Sequence, residues 1–530
     1  MKPLRLLATF FLAAAAAHSA THAADKPNVI FLLADDIGYA DLSCFGAKHA
    51  KTPNLDRLAA QGCRFTDAHS PASTCTPTRR AFLTGVYSWR QQPGSSIAPG
   101  DAPLSITPGT PTVASVMKQA GYRTGVVGKW HIGLGPQPEA DSNGGPDWNG
   151  DIKPGPMEIG FDSSFIMAAT GDRTPTVYVD GHRIVGLDPK DPITVSYRAK
   201  VGTDPTGREN PALLKLKHTH GHDMTIVNGV GRIGWMTGGN AARWKDEDMS
   251  DIFAGKAVKF IEESKAAPFF LYYATHNIHV PRVPHPRFKG TSGVGTRGDA
   301  IHELDDAVGK VMAKLDELKL TEKTLFIFTS DNGGVMDDGY EDVGSFDYNP
   351  NTPLNGHKGN ILEGGHRVPF IARWPGKIKP GTESAALIAH LDMPATFAAL
   401  TGVKIPDGGC RDSINVLPVI LGETQKSPRE TFVAHNGGVN GPFGFRAGNW
   451  KLNTASSGPG ANDPRRGGAQ PKAERRNDAP IGNNVKPAQP GGNAQLFDLS
   501  TDLGETKNLA KEKPEKLKEM QELLAKIRGQ

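Results

Sequence analysis

Val29-Ile30-Phe31-Leu32-Leu33-Ala34-Asp35-Asp36 sets an uninterrupted apolar run directly against two adjacent carboxylates. Six apolar residues without alternation suit a strand buried on both faces, as in a parallel sheet covered by helices. Working outward, Thr52-Pro53 opens a short helix carrying Leu55, Leu58 and Ala59, which Gly62 ends. Thr110-Pro111 opens another with Val113, Val116, Met117 and Ala120 on one face, stopped by Gly121 and followed by a strand over 124–127. Ile252, Phe253, Lys256, Phe260 and Ile261 mark a helix before a strand over 269–274. Ile301, Leu304, Val308, Val311, Leu315 and Leu318 mark one before a strand over 325–329. This alternation predicts an α/β fold with a mostly parallel sheet and helices on both faces. Ligands in such folds bind beyond the carboxyl ends of the strands. Asp35 and Asp36, Lys129 and His131, His276 and His279, and Asp331 and Asn332 each follow one of these strands, so they are expected to converge on one edge.

The 530 residues suffice for a large core and more than one domain, and 38% hydrophobic with 22% charged residues is ordinary for a soluble enzyme. Residues 1–24 place Lys2 and Arg5 before an apolar stretch from Leu6 to Ala17 and small residues at Ser19, Ala20, Ala23 and Ala24. That order predicts a signal peptide cut near Ala23 and a periplasmic or secreted location. The apolar stretch is shorter than the roughly 20 residues that span a bilayer, so no membrane span is expected after its removal. Without Lys2 and Arg5 the formal charge of +4 falls to +2, too weak a bias for a nucleic-acid partner. A large domain is expected over 25–405 and a smaller one over 406–530. Within the latter, residues 454–493 are rich in Gly, Pro, Asn, Lys and Arg and read as a flexible insertion. Its Arg465, Arg466, Arg475 and Arg476 fit a solvated basic loop better than an anion site. Leu517, Met520, Leu523, Leu524 and Ile527 predict an amphipathic terminal helix.

The chemistry is read from Cys75-Thr76-Pro77-Thr78-Arg79, followed by Arg80-Ala81-Phe82-Leu83-Thr84-Gly85. Around it stand Gly128-Lys129-Trp130-His131, Pro268-Phe269-Phe270-Leu271-Tyr272-Tyr273, Ser330-Asp331-Asn332-Gly333, Lys358 with Glu363-Gly364-Gly365, and Leu496-Phe497-Asp498-Leu499 with Gly504-Glu505. In residues and in order this series resembles the type I, arylsulfatase-like sulfatases of the alkaline phosphatase superfamily. The resemblance implies a large mixed, mostly parallel sheet sandwiched by helices, with a C-terminal α+β subdomain containing an antiparallel sheet. It also implies that a maturation enzyme oxidises Cys75 to formylglycine. One hydroxyl of the hydrated aldehyde attacks sulfur, and the other later expels sulfate. Thr78, where many members carry Ser or Ala, is the one departure from the motif. With Cys75 converted, Cys44, Cys63 and Cys410 allow at most one disulfide, and buried free thiols are an equal alternative.

Asp35, Asp36, Asp331 and Asn332 form an all-oxygen set suited to one hard cation, Ca2+ fitting best. The hydrated residue 75 is expected to join it. The resemblance further implies that Arg79 holds the hydrate, Lys129 and Lys358 contact sulfate, His279 protonates the leaving alcohol and His131 takes a proton from the second hydroxyl. Histidine suits both roles because its pKa lies near working pH. His276 reads as structural. His218-Thr219-His220-Gly221-His222-Asp223 could bind a transition metal or contact a glycan, with His220 and His222 the candidates, and the acidic, aromatic stretch 337–348 could face substrate or solvent. The expected reaction is hydrolysis of sulfate esters, on a sulfated carbohydrate or an aryl sulfate. The competing expectations are a phosphodiesterase or phosphonate monoester hydrolase and a catalytically silent glycan-binding homologue.

Overall fold

The strand Asn28–Ala34 is buried along its whole length and sits near the middle of a ten-stranded sheet. The computed structural model describes residues 26–91, 96–139, 144–341, 348–436, 438–454 and 494–529. The expected leader and nearly all of the insertion at 454–493 lie outside those residues. Across the sheet the order is Thr382–Ser384, Cys63–Phe65, Phe370–Arg373, Thr324–Ser330, Asn28–Ala34, Phe269–Ala274, Arg123–Lys129, Ser163–Met167, Tyr178–Asp180 and Arg183–Ile184. The five strands from Thr324–Ser330 to Ser163–Met167 run parallel, and antiparallel pairings appear only outside them.

Successive side chains of the first strand go to opposite faces, which is why the run must be apolar throughout. Val29, Phe31 and Leu33 join a core with Phe82, Met117 and Phe397. Ile30, Leu32 and Ala34 join one with Leu55, Phe253, Ile261, Leu304 and Val308. Helices Cys75–Thr84, Val113–Gln119 and Met393–Thr401 thus cover one face, and Pro53–Ala60, Met249–Ser264 and Gly295–Glu317 the other. The second helix starts two residues later than Thr110-Pro111 suggested. Thr112 is its cap, its side chain accepting from Ser115 N while Ser115 Oγ accepts from Thr112 N, and this reciprocal pair fixes the start.

A separate four-stranded antiparallel sheet, Thr431–His435, Phe443–Ala447, Trp450–Asn453 and Gln495–Asp498, packs with helix Pro514–Arg528 around Phe432, Phe445, Leu452, Met520 and Leu524. This core also takes in Ala81, Tyr87 and Trp89, so the small sheet leans on the helix that begins at Cys75. Cys44, Cys63, Cys75 and Cys410 are all unpaired. Among the described residues no helix is long and apolar enough to cross a membrane.

Candidate active site

The carboxyl ends of the central strands converge as their order requires. Asp35 continues the first strand: its N–H donates to Asn277 O at 2.8 Å and its C=O accepts from Ile278 N at 2.7 Å. Asp36 (φ 63°) and His131 (φ 59°) then turn through the left-handed region, which non-glycine residues rarely adopt and which clusters at functional sites. Two glycines permit the close approach of the surrounding loops. A Cβ on Gly128 would lie 1.8 Å from Ala274 O, and one on Gly333 would lie 1.8 Å from Gly364 O. Cys75 is the first residue of helix Cys75–Thr84, so the positive end of the backbone dipole faces it.

Ligand atoms of Asp35, Asp36, Cys75 and His279, all four buried, lie within 4.8 Å of one another. Cations ring this group. Lys129 Nζ lies 2.5 Å from Asp35 Oδ2, and Lys358 Nζ lies 3.0 Å from Asp36 Oδ2. Arg79 donates to Asp331 Oδ2 through Nη2 at 2.7 Å and Nε at 3.0 Å. Asn332 gives its amide N–H to Asp36 Oδ1 at 2.7 Å, which turns its own oxygen away from that bond. Asp35 Oδ1 and Asn332 Oδ1 are left buried with no hydrogen-bond partner. Two orphaned oxygens beside two further carboxylates are what a hard cation needs and what an empty protein interior avoids. The donor set therefore fits calcium.

The electrostatics agree. Burial, then the neighbouring Asp331, pushes the Asp35 carboxyl well above the usual carboxylate range, since the protein's cations do not fully offset its desolvation. Burial acts on Asp36 in the same direction, but Lys358, His279 and Lys129 outweigh it and hold that carboxyl well below the range. Burial lifts the Cys75 thiol to about 12, so the unmodified side chain is a neutral thiol and a poor nucleophile.

His131 and His279, the two histidines expected to take part, each have one ring nitrogen fixed by a backbone carbonyl. His131 Nε2 lies 3.1 Å from Ala98 O, which leaves Nδ1 as the unprotonated nitrogen, buried and without a partner. His279 Nδ1 lies 2.8 Å from Val280 O, which leaves Nε2 facing Asp36 Oδ2 at 3.9 Å and Asp338 Oδ2 at 3.8 Å. Burial, then Lys129, holds His131 well below the ordinary histidine value, and burial, then Lys358, brings His279 down to about 4.

Every residue expected in the catalytic and metal sets thus stands in one cluster, whereas His276 lies apart, its ring 5.9 Å from that of Phe253. His220 is exposed. His222 is buried, bonded through Nε2 to Asp172 at 3.0 Å and packed on Tyr340 with ring centroids 4.5 Å apart. The segment 218–223 meets the stretch beginning at 337, where Thr219 Oγ1 donates to Asp337 Oδ1 at 3.3 Å, and residues 342–347 of that stretch lie outside the described ones. Two participants were not singled out by the sequence. Asp338 accepts from Lys358 at 2.6 Å, and Thr76 Oγ1 donates to His131 O at 2.8 Å, tying the histidine to the Cys75 helix. An acidic loop and a threonine inside a motif carry no signal that separates such roles from solvated or structural ones.

The fold and this cluster define a hydrolase in which carboxylates, lysines and histidines surround a buried residue at a helix start. The sulfatase family model matches residues 27–403, and a second model, described as N-sulphoglucosamine sulphohydrolase, C-terminal, matches 357–452. An N-acetylgalactosamine-6-O-sulfatase of Bacteroides thetaiotaomicron is 47% identical over 506 residues, covering 95% of this chain and 93% of that protein. Human arylsulfatase A is 32% identical, covering 92% and 84%. A solved structure described with the metabolism of multiple glycosaminoglycans by Bacteroides thetaiotaomicron superposes with a TM-score of 0.86 at 46% identity, over 96% of this chain and 100% of that one. The chain belongs to the sulfatase family, with its alkaline phosphatase-like fold, and is a sulfuric ester hydrolase.

Proposed function

We propose that the protein is an exported, calcium-dependent sulfatase that uses formylglycine at position 75 to remove the 6-O-sulfate of N-acetylgalactosamine in sulfated glycans. The observation that carries the mechanism is the pair of orphaned oxygens, Asp35 Oδ1 and Asn332 Oδ1, beside a cysteine too buried and too weakly acidic to serve as it stands. The sugar is supported by the relative named for it, 47% identical over 95% of the chain.

Asp35, Asp36, Asp331 and Asn332 would hold calcium, which when bound polarises a sulfate oxygen and acidifies a coordinated hydroxyl. Formylglycine hydrate supplies a nucleophilic hydroxyl and a second one on the same carbon. Cys75 is 1% exposed in the folded chain, so its conversion by a maturation enzyme suits a chain that has not yet closed. Lys129 and Lys358 offset the charge of the sulfate group, the main demand of such a transfer. Arrival of an anion beside Lys358 and His279 raises the affinity of His279 Nε2 for the proton that the leaving alcohol requires. His131 Nδ1, held as the free lone pair, can accept a proton from residue 75.

The test is a turnover panel with 6-O-sulfated N-acetylgalactosamine, its 4-O-sulfated isomer, 6-O-sulfated N-acetylglucosamine and an aryl phosphonate, with mass analysis of the peptide bearing residue 75. The first substrate is expected to be preferred, with a mass at residue 75 matching the aldehyde. Preference for the phosphonate overturns the reaction class, preference for another sulfated sugar overturns the substrate, and unmodified cysteine in fully active protein overturns the nucleophile.

A further inference from the structure

Helix Gly295–Glu317 packs behind the site and buries four ionisable side chains, of which Asp299 and Asp305 cap neighbouring backbone while Arg297 and Glu303 reach toward the site. Arg297 is 1% exposed and Glu303 is 3% exposed. Arg297 Nη2 bonds Asp41 Oδ2 at 2.6 Å and Asp36 O at 3.3 Å, so one end of the helix already supports the carboxylate pair. Among the described residues Glu303 has no such cation within bonding distance, Arg287 acting on it only from further off. Its Oε2 accepts from Asn277 Nδ2 at 2.9 Å and its Oε1 from His285 N at 2.9 Å. Two separate donors, one on each oxygen, call for a carboxyl group, because a glutamine could accept on one side only. Burial raises its pKa to about 7, the cost of keeping a carboxyl there without a counter-ion.

Asn277 is the link to the chemistry. Its side-chain oxygen accepts from Ser250 Oγ at 3.3 Å, and its main-chain oxygen accepts the Asp35 N–H at 2.8 Å. The next residue returns a bond, Ile278 N to Asp35 O at 2.7 Å, and the residue after that is His279. We propose that Glu303 is a positioning residue of the sulfatase site, acting through Asn277 to hold the Asp35 carboxylate and His279 in register around the cation. The role is that of an outer-shell partner, which touches neither metal nor substrate but fixes the groups that do. It rests on the calcium reading above.

The test uses the purified full chain and Ca2+ alone, titrated by calorimetry, with kcat and KM on an activated aryl sulfate and Tm recorded without added calcium. Glu303→Gln is expected to weaken calcium binding about 10-fold or more and to lower kcat while KM moves by less than about two-fold, in line with outer-shell substitutions. Asn277→Ala is expected to do the same, and adding Glu303→Gln to it should cost less than about two-fold more, since both changes break one connection. Unchanged calcium affinity in folded Glu303→Gln, or losses that multiply in the double variant, would overturn the proposal. If Glu303→Gln fails to fold, Asn277→Ala decides, and unaltered calcium affinity in that variant overturns the link. A wild-type chain that binds no calcium defeats the calcium reading, whereas normal wild-type binding with unaltered variants defeats only the role of Glu303.

Discussion

Among the described residues, two buried clusters of charged and histidine side chains look by residue type alone able to hold a metal. One is the candidate active site. The other is His69, Glu363 and His366, all buried. The difference lies in what each cluster leaves unsatisfied. In the second, Lys451 Nζ sits 2.9 Å from Glu363 Oε1, 3.0 Å from Glu505 Oε1 and 3.2 Å from His366 Nε2, where an ion would otherwise go. Glu363 Oε2 takes Arg367 at 3.2 Å and Arg446 at 3.4 Å, and Asp67 takes His69 Nε2 at 2.8 Å and Arg446 at 3.2 Å. His69 Nδ1 and His366 Nδ1 meet at 3.0 Å, so each ring has a partner on both nitrogens. No side-chain atom of Asp67, His69, Glu363, His366, Lys451 or Glu505 is orphaned, whereas Asp35 Oδ1, Asn332 Oδ1 and His131 Nδ1 are. A network whose charged and imidazole groups are all paired is a joint, here between the large sheet and the small one, although Asn453, which donates to Glu505 Oε1 at 3.2 Å, leaves its own Oδ1 unpaired. A network that leaves buried acceptors unpaired beside clustered ligand atoms is a place kept for a ligand.

The comparison is broken most directly by removing one member from each cluster. Cys75→Ala takes out the proposed nucleophile but no ion pair. Turnover is expected to fall by about 10⁴-fold or more, as when a covalent nucleophile is deleted, with Tm essentially unchanged. Residual turnover near wild type would put the chemistry elsewhere. Lys451→Met should do the reverse. Its side chain is fully buried, and its loss leaves Glu363 and Glu505 without their shared cation. Breaking a buried pair from one side costs about 3–5 kcal/mol, so denaturant unfolding should shift by that order while the folded fraction keeps its kcat. A stable Lys451→Met protein with impaired turnover would mean that the second cluster is part of the site.

The two clusters also differ in how far they could be read from the sequence. Several of the site's members sit directly after strands made visible by apolar runs, so Asp35 beside Ala34 and Asp331 beside Ser330 could be placed on one edge from the chain alone, whereas Cys75, Arg79 and Lys358 lie on a helix and a loop. The joint takes Asp67 and His69, Glu363 and His366, Arg446 and Lys451, and Glu505 from four distant segments. Backbone pairing joins 67–70 to 366–368, and the packing of the small sheet adds Arg446, Lys451 and Glu505; no local pattern announces either. Glu303 is not legible in the sequence for a related reason. It lies between Ile301 and Leu304 on a helix whose apolar face was the readable feature, and one polar residue on the border of that face looks solvated until its partner Asn277, 26 positions away in the chain, is located. Asp338 stood in a stretch whose acidity suits solvent as well as it suits Lys358.

The smallest expected effect concerns a histidine that belongs to neither cluster. His276 lies three residues from His279, but its ring packs on Phe253 and its Nδ1 is buried without a partner. Burial brings its pKa down from the ordinary 6.5 to about 3, so the folded chain keeps it neutral over most of the acid range. Between those values the unfolded chain binds a proton that the folded chain does not. The contribution to stability is therefore complete above pH 6.5 and is lost progressively as pH falls toward 3. His390, also brought to about 3 by burial, acts in the same window from the other side of the sheet. His276→Gln, which cannot titrate, should therefore lessen the fall of Tm between pH 6.5 and 4.5 without abolishing it, by about 1–3 °C in a chain of this size. Parallel Tm curves for the two proteins across that window would mean that His276 is already protonated or solvated in the folded state. The distinction between His276 as a packed neutral ring and His279 as the proposed proton donor would then have to be redrawn.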